Sequence, residues 1–278
     1  MKYEEVENMS NTKKLFLTDL DGTILNDKKV ITPRTMKALI EYVSRGNVFG
    51  ICTGRDINSA KAVYDGLGVK LAGSFVIAFN GGQIYDVDNK KTVYRTGIDV
   101  KMGQEILKIA KDWGIHVHTY NDDFILTVAY NECIEYYRRV IKTPVIVADD
   151  IGPFMDKPLC KMICIELHDH EKQEGFRKEI ERLYGDSLDL MYSNEYYLEL
   201  IPKGSGKGSA LKWLSDYLGI KPENTMAAGD ADNDSSMVAA AGLGIAMING
   251  DDKIKKAADV ITEEDNNHDG IAPFLEKM

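Results

Sequence analysis

The segment that decides the fold runs from residue 14 to residue 23 and reads Lys14-Leu15-Phe16-Leu17-Thr18-Asp19-Leu20-Asp21-Gly22-Thr23. A short apolar run that ends in two aspartates and a glycine predicts a buried strand followed by a tight turn. Two further apolar runs, at 48–52 and 75–79, are likewise closed by polar residues. Between the first two runs lies a helical stripe, opened by Thr32-Pro33, stopped by Gly46 and formed by Met36, Leu39, Ile40 and Val43.

Strands that alternate with helices, and that are apolar throughout rather than at every second residue, are typical of a parallel sheet covered on both faces. The sequence therefore predicts an α/β fold with a Rossmann-like parallel sheet. Ligands of such sheets bind at the carboxyl ends of the strands, which is where the polar residues stand.

Between residues 84 and 200 the pattern changes, because strands cluster and alternate in polarity, beginning with a hairpin at 83–87 and 92–96. This favours an inserted α+β domain at 84–200, with the α/β domain formed by 14–83 plus 201–278. The polar residues 1–13 are expected to be a disordered tail.

Composition excludes several classes of protein. The chain has 278 residues, 44% of them hydrophobic, and a formal charge of −10, which indicates a globular chain with an acidic surface. Without a basic patch we expect neither a nucleic-acid nor a membrane partner, and the sequence predicts no oligomeric state. With no apolar stretch of about 20 residues and no export signal in view, we expect a cytoplasmic protein.

The cysteines (Cys52, Cys133, Cys160 and Cys164) form no CxxC pair and are expected to be reduced, mostly buried thiols.

Each candidate motif, taken by itself, also has an ordinary structural interpretation. Asp19 and Asp21 project to the same side of an extended segment, where a cation would relieve their repulsion, although Asp-Gly after a strand is often only a turn. The aspartates at 230, 232 and 234 resemble the start of an EF-hand calcium loop. Ser235 and Ala241 stand where that loop needs Gly and Glu, so a solvated acidic loop is the stronger alternative.

The glycine-rich segment 204–209 satisfies neither the Walker nor the dinucleotide pattern. One interpretation is a flexible linker in which Lys207 is solvated. The other is the start of a helix, where the positive charge of Lys207 is unfavourable against the helix dipole unless a bound phosphate neutralises it. Thr53-Gly54-Arg55 could be merely a turn and a helix cap. The pairs His116/His118 and His168/His170 would each lie on one strand face, and without a third ligand they favour structural or solvent-facing histidines over zinc.

The motifs are all predicted at one edge of one sheet. A carboxylate, a second carboxylate two residues on, a strand-end threonine, a helix-start lysine and a distant acidic loop together indicate phosphoryl transfer through an aspartyl-phosphate. In this order the motifs resemble the haloacid dehalogenase-like hydrolase superfamily, and within it the Cof-type sugar phosphatases with a type-two cap. The residues that carry the resemblance are Asp19-Leu20-Asp21-Gly22-Thr23, Thr53-Gly54-Arg55, Lys207, and Gly229-Asp230 with Asn233-Asp234.

The resemblance implies a division of roles. Asp19 would attack phosphorus, and Asp21 would carry the proton. Mg²⁺ would be held by Asp19, the Asp21 carbonyl and Asp230. Asp234 would either bind the ion directly or contact one of the residues that do. Thr53 and Lys207 would hold the transferring phosphoryl group. Further positions beside the phosphate would be Gly54, Arg55, Asn80, Gly81 and Asn233, and the inserted domain would be the cap that selects the substrate.

We therefore expect a Mg²⁺-dependent phosphomonoesterase acting on small phosphorylated metabolites. Sugar phosphates are favoured, with nucleotides and flavin or pyridoxal phosphates as further candidates. A phosphomutase or phosphotransferase would use the same intermediate and pass the phosphoryl group to a sugar. A non-catalytic binding protein is the third alternative, which the presence of both Asp19 and Asp21 disfavours.

Overall fold

A computed structural model describes residues 13–277. Residues 1–12 of the predicted tail lie outside this range. Within the described residues, no helix combines the length and the apolar character that a membrane span requires.

The described strands, in chain order, are β1 (Leu15–Thr18), β2 (Val48–Cys52), β3 (Phe75–Ala78), β4 (Gln83–Asp86), β5 (Lys91–Arg95), β6 (His116–Tyr120), β7 (Ile125–Thr127), β8 (Val145–Val147), β9 (Met162–Ile165), β10 (Leu188–Tyr192), β11 (Tyr197–Pro202), β12 (Thr225–Gly229), β13 (Leu243–Ala246) and β14 (Val260–Ile261). The α-helices are α1 (Pro33–Ser44), α2 (Ile57–Asp65), α3 (Val100–Trp113), α4 (Glu132–Tyr137), α5 (His170–Tyr184), α6 (Lys207–Leu218), α7 (Ser235–Ala240), α8 (Asp252–Ala257) and α9 (Ala272–Lys277).

The chain forms two compact units. The first comprises the described residues through Cys52, then 69–75 and 211–277; the second comprises 53–68 and 76–210. The domain boundaries expected from the sequence stay a prediction.

The first unit is built on parallel strands. It contributes five strands of an eight-stranded sheet, in the order β14-β13-β12-β1-β2, and each of these neighbouring pairs is parallel. Leu15, Phe16 and Leu17 of β1 are completely buried, so this strand is covered on both faces. The predicted α/β fold with a parallel sheet is confirmed.

Helix α1 shows why the predicted helix begins where it does. Pro33 occupies the first turn, where its missing N–H costs no hydrogen bond. The Thr32 hydroxyl donates to Asp269, and the Thr35 hydroxyl donates to the same carboxylate at 3.1 Å. Gly46 follows the helix with φ +86°, consistent with its predicted role as the stop.

The second unit contains a mostly antiparallel sheet. Six strands lie in the order β10-β11-β9-β6-β7-β8, and the pair β7–β8 is the parallel exception. Residues of α3 and α5 pack with residues of this sheet in one apolar core, which includes Ile106, Ala110, Phe176 and Ile180. The predicted hairpin is present as the antiparallel pair β4–β5.

Two local expectations differ from the structure. The sequence pattern predicts a helix over 132–141, but α4 ends at Tyr137, and β8 is a strand that the sequence does not predict. β8 contains only three apolar residues, too few for a periodic signal, and it gains its place by pairing with β7. Just before it, the Pro144 carbonyl accepts a hydrogen bond of 2.8 Å from the Ile125 amide.

The histidines need one correction. His116 and His118 lie on β6 and are buried, as a structural role requires. His168 and His170 do not share a strand, because His168 follows β9 in an exposed loop and His170 is the first residue of α5. The cysteines are confirmed as free and buried, all four of them lying within the described residues.

Burial sets the protonation of the β6 histidines. Desolvation lowers the pKa of His116 to about 4. The pKa of His118 also lies well below its usual value, through burial first and then through the charges of His116 and Lys161. Both imidazoles are therefore neutral in the folded protein at neutral pH.

We predict that the free energy of unfolding falls between pH 7 and pH 5. In that range the unfolded chain binds protons at these histidines that the folded chain does not, so stability decreases as the pH falls. For His116, a folded pKa of about 4 gives a loss of about 2 kcal/mol, measurable by urea unfolding at both pH values. His116→Phe should reduce the loss, whereas His170→Gln, at an exposed position, should not. Equal pH slopes in all three proteins would contradict the prediction.

Candidate active site

Three carboxylates of the first unit converge at the ends of two adjacent parallel strands. Asp19 follows β1, while Asp230 and Asp234 follow β12. One carboxylate oxygen from each lies within 4.8 Å of the others. The Asp19 amide donates to the Ala228 carbonyl at 3.0 Å, so β1–β12 pairing continues up to the cluster and fixes its position. These aspartates, far apart in sequence, come together as the resemblance implied.

The donor set suits a hard divalent cation. Three carboxylate oxygens at this spacing match the ligand preference of Mg²⁺ and related ions, which favour oxygen. Asp234 is completely buried, and its Oδ2 accepts hydrogen bonds of 3.1 Å from the amides of Asp230 and Ala231. Asp234 therefore shapes the acidic loop, while one of its carboxylate oxygens stays within 4.8 Å of those of Asp19 and Asp230.

The second aspartate of the motif has a different neighbour. Asp21 Oδ1 accepts a bond of 2.7 Å from the ammonium of Lys29, and both side chains are partly exposed. Lys29 sits in the turn that follows, with φ +61°. Asp21 is therefore the more solvent-accessible carboxylate of the motif, since Asp19 is only 9% exposed.

Two residues that carry no predicted role support Asp230 and its surroundings. The Thr23 hydroxyl donates to Asp230 Oδ1 at 2.7 Å, and the Asn249 side-chain amide donates to the Gly22 carbonyl at 2.8 Å. Thr23 is visible in the sequence as part of the Asp-Leu-Asp-Gly-Thr motif. Asn249 follows β13 and therefore lies at the same edge of the sheet. That position after a strand is the sequence feature by which Asn249 could have been identified as a site residue.

Gly22 is needed where the chain passes Asp230. It has φ +80°, a conformation that L side chains rarely adopt, and a Cβ there would lie 2.5 Å from Asp230 Oδ2. The glycine therefore lets the turn come close to the acidic loop.

Apart from Asn233, the remaining candidates lie in the second unit, beginning with the turn at Thr53. The Thr53 amide donates to Ile77, the Asn80 amide donates to the Thr53 carbonyl, and the Phe79 amide donates to the Arg55 carbonyl, each at 2.9 Å. Asp56 caps α2, so the helix-cap part of the interpretation of Thr53-Gly54-Arg55 is wrong, while the segment does form a turn. Thr53 is 4% exposed, and its Oγ1 accepts a bond of 3.3 Å from the Arg55 amide.

Lys207 is the first residue of α6 and is completely buried, which excludes the solvated-lysine interpretation. Gly81 has φ +104°, and a Cβ there would lie 2.4 Å from the Gly206 carbonyl oxygen. Within this unit, the Asn80–Gly81 turn and the glycine-rich segment before Lys207 therefore lie in close contact. Asn233, in the acidic loop of the first unit, is exposed.

Comparison with known proteins gives consistent results. A family model of haloacid dehalogenase-like hydrolases matches residues 16–275. The 5-amino-6-(5-phospho-D-ribitylamino)uracil phosphatase YwtE of Bacillus subtilis is 30% identical over 289 residues, with 95% of this chain and 98% of that protein covered. The crystal structure of a haloacid dehalogenase-like hydrolase from Bacteroides thetaiotaomicron has a TM-score of 0.84 at 29% identity, covering 95% of this chain and 99% of that one. TM0651 from Thermotoga maritima also has a TM-score of 0.84, at 28% identity, covering 96% and 97% of the two chains.

We predict that Gly22→Ala weakens divalent-cation binding at least tenfold, because the added methyl group must displace the Asp230 carboxylate. Gly46→Ala is the matched control, since Gly46 has φ +86° but no neighbouring atom within 4 Å of the place where a methyl group would be added. Both variants should lose about 1 kcal/mol of stability from the backbone conformation. Titration calorimetry with Mg²⁺ and with Mn²⁺ measures the difference, and equal affinities in the two variants would contradict the role given to Gly22.

Proposed function

This chain belongs to the haloacid dehalogenase-like hydrolases and is a phosphatase, and from that premise we propose that it is a Mg²⁺-dependent phosphomonoesterase of small phosphorylated metabolites. Its reaction would pass through an aspartyl-phosphate on Asp19. The observation that carries the proposal is the convergence of Asp19, Asp230 and Asp234, with a second carboxylate two residues after the first.

The two aspartates of the motif divide the chemistry between them. A carboxylate oxygen of Asp19 attacks phosphorus, and the bond from phosphorus to the ester oxygen breaks. Asp21, in its acid form, gives its proton to the departing oxygen. A water molecule then attacks the phosphoryl group and loses a proton to Asp21, the Asp19–phosphorus bond breaks, and inorganic phosphate leaves.

Asp19, Asp230, the Asp21 carbonyl and Asp234 are the groups proposed to hold Mg²⁺. When bound, the ion neutralises negative charge on the phosphoryl group and on Asp19. The buried Asp19 is well suited to remain a nucleophile, and the more exposed Asp21 is well suited to exchange protons with water.

We assign Thr53 and Lys207 to the transferring phosphoryl group. A hydroxyl and an ammonium stabilise the charge that develops on its oxygens, and Lys207 at a helix start is a cation that an anion would offset. Arg55, Gly54, Asn80, Gly81 and Asn233 are proposed to lie beside the phosphate, as the resemblance implies.

A phosphorylated sugar or sugar alcohol is the favoured substrate class. The name of the Bacillus subtilis relative specifies a phosphoribityl compound, which is a phosphate ester of a sugar alcohol. Nucleotides and the phosphates of flavin and pyridoxal complete the set to be screened. The cytoplasmic location predicted from the sequence is part of the same proposal.

We predict that Asp19→Asn lowers kcat for p-nitrophenyl phosphate at least about 10³-fold, because the amide cannot form the covalent intermediate. Asp232→Asn is the matched control: this carboxylate lies in the acidic loop between Asp230 and Asp234 but is 60% exposed and paired with Lys253. Its kcat should stay within twofold of the unmodified enzyme. Equal rates for the Asp19 variant and the unmodified enzyme would refute the proposed nucleophile.

Mg²⁺ dependence provides a second prediction. Treatment with EDTA should abolish phosphate release, and Mg²⁺ should restore it, because the acidic cluster otherwise repels the substrate phosphate. Full activity after exhaustive chelation would contradict the metal requirement.

Product analysis separates the alternatives. With an added sugar acceptor, free phosphate as the sole product supports hydrolysis, whereas a phosphorylated acceptor supports a phosphotransferase or mutase. Binding without turnover across sugar phosphates, nucleotides, flavin mononucleotide, pyridoxal phosphate and 5-amino-6-(5-phospho-D-ribitylamino)uracil would favour a binding protein.

A further inference from the structure

Lys161 is a buried cation to which the proposed reaction gives no role. It directly precedes β9 in the second unit and is only 3% exposed. A lysine is almost never buried without a partner, since removing its charge from water is costly. The groups that contact the Lys161 ammonium therefore indicate its structural role.

The Lys161 ammonium makes two hydrogen bonds, both of 3.2 Å. One is to Oε1 of Glu199 on β11, which is 6% exposed, and the other is to the backbone carbonyl of Gly54. The Lys161 backbone is itself fixed, because its carbonyl accepts a bond of 2.9 Å from the Thr119 hydroxyl. Glu199 thus supplies the negative charge that balances Lys161. The other hydrogen bond, to the Gly54 carbonyl, connects Lys161 to a turn outside the sheet.

That turn is Thr53-Gly54-Arg55. From one direction it is held by backbone bonds with Phe79 and Asn80. The bond from Lys161 holds the peptide between Gly54 and Arg55, whose amide donates to Thr53 Oγ1. The ammonium therefore acts on the peptide group that also orients the threonine hydroxyl.

We propose that Lys161, with Glu199 as its counter-ion, is a positioning residue for the Thr53-Gly54-Arg55 turn. Holding the Gly54 carbonyl fixes the Arg55 amide and, through it, the Thr53 hydroxyl that we assign to the phosphoryl group. The proposal rests on the function proposed for Thr53. A charged donor suits this task because its hydrogen bond to a carbonyl is stronger than that of a neutral donor.

The test removes both charges together, because removing Lys161 alone would leave Glu199 buried and unpaired. Lys161→Met combined with Glu199→Leu should fold, with a Tm near that of the unmodified protein, and should leave the Gly54 carbonyl without its donor. Lys161→Gln combined with Glu199→Gln is a second double variant. Its glutamine at position 161 is shorter than lysine and does not reach the Gly54 carbonyl. Lys157→Met, at a partly exposed lysine paired with Asp122, is the control.

With p-nitrophenyl phosphate and Mg²⁺, we expect either double variant to lose at least tenfold in kcat with KM changed less than twofold, because the hydroxyl acts on the transition state. Amide hydrogen exchange in the peptide covering residues 53–55 should accelerate at least tenfold. The Lys157 variant should match the unmodified enzyme in both measurements. A general loss of folding would instead raise exchange throughout the chain.

A folded double variant with unchanged exchange at 53–55 overturns the proposal, whatever its activity. Faster exchange with kcat within twofold of the unmodified enzyme also overturns it. If the unmodified enzyme has no phosphatase activity at all, the proposed function fails, and hydrogen exchange still decides whether Lys161 holds the turn.

Discussion

Electrostatic repulsion among three clustered carboxylates is the constraint on which the site depends. Two unit charges no more than 4.8 Å apart, as the Asp19, Asp230 and Asp234 oxygens are, repel by at least about 3.5 kcal/mol at an effective dielectric constant near 20. The fold imposes this arrangement, because parallel pairing of β1 and β12 brings two acidic strand ends together. Hydrogen bonds from Thr23 and from backbone amides offset part of the repulsion. A divalent cation would offset the rest, which explains why such a costly cluster is useful to a phosphatase.

The fold class and the acidic cluster could be predicted because their signals are local or follow from topology. Continuous apolar runs such as 15–18 and 48–52 identify buried parallel strands. Parallel strands place their carboxyl ends at one edge, so Asp19 and Asp230 could be expected near each other although they lie far apart in the chain. For Lys207 the sequence left two interpretations open, a solvated linker lysine and a cation at a helix start, and the burial of its side chain decides against the first.

Contacts that depend on side-chain packing could not be predicted in this way. The Lys161–Gly54 bond joins a residue before β9 to a turn 107 residues earlier, and no periodicity marks either end. Asn249 and Lys29 are polar residues in turns, a class too common to single out. β8 depends on its pairing with β7, which three apolar residues do not encode. The strand expected to carry both His168 and His170 is absent, because His168 lies in a loop and His170 begins α5. The residues proposed to carry the chemistry therefore lie in sequence motifs, whereas Lys161, Asn249 and Lys29 do not.

Asp19 is the residue proposed to accept the phosphoryl group, and trapping the covalent intermediate tests this role. During turnover of p-nitrophenyl phosphate with Mg²⁺, rapid denaturation followed by borohydride reduction converts an aspartyl-phosphate to homoserine. Mass spectrometry of the peptide covering residues 15–28 then locates the change. We expect homoserine at position 19, and a larger amount of it in Asp21→Asn, because the water that hydrolyses the intermediate then lacks its base. Sustained turnover with unmodified aspartate at position 19 under these conditions would contradict it.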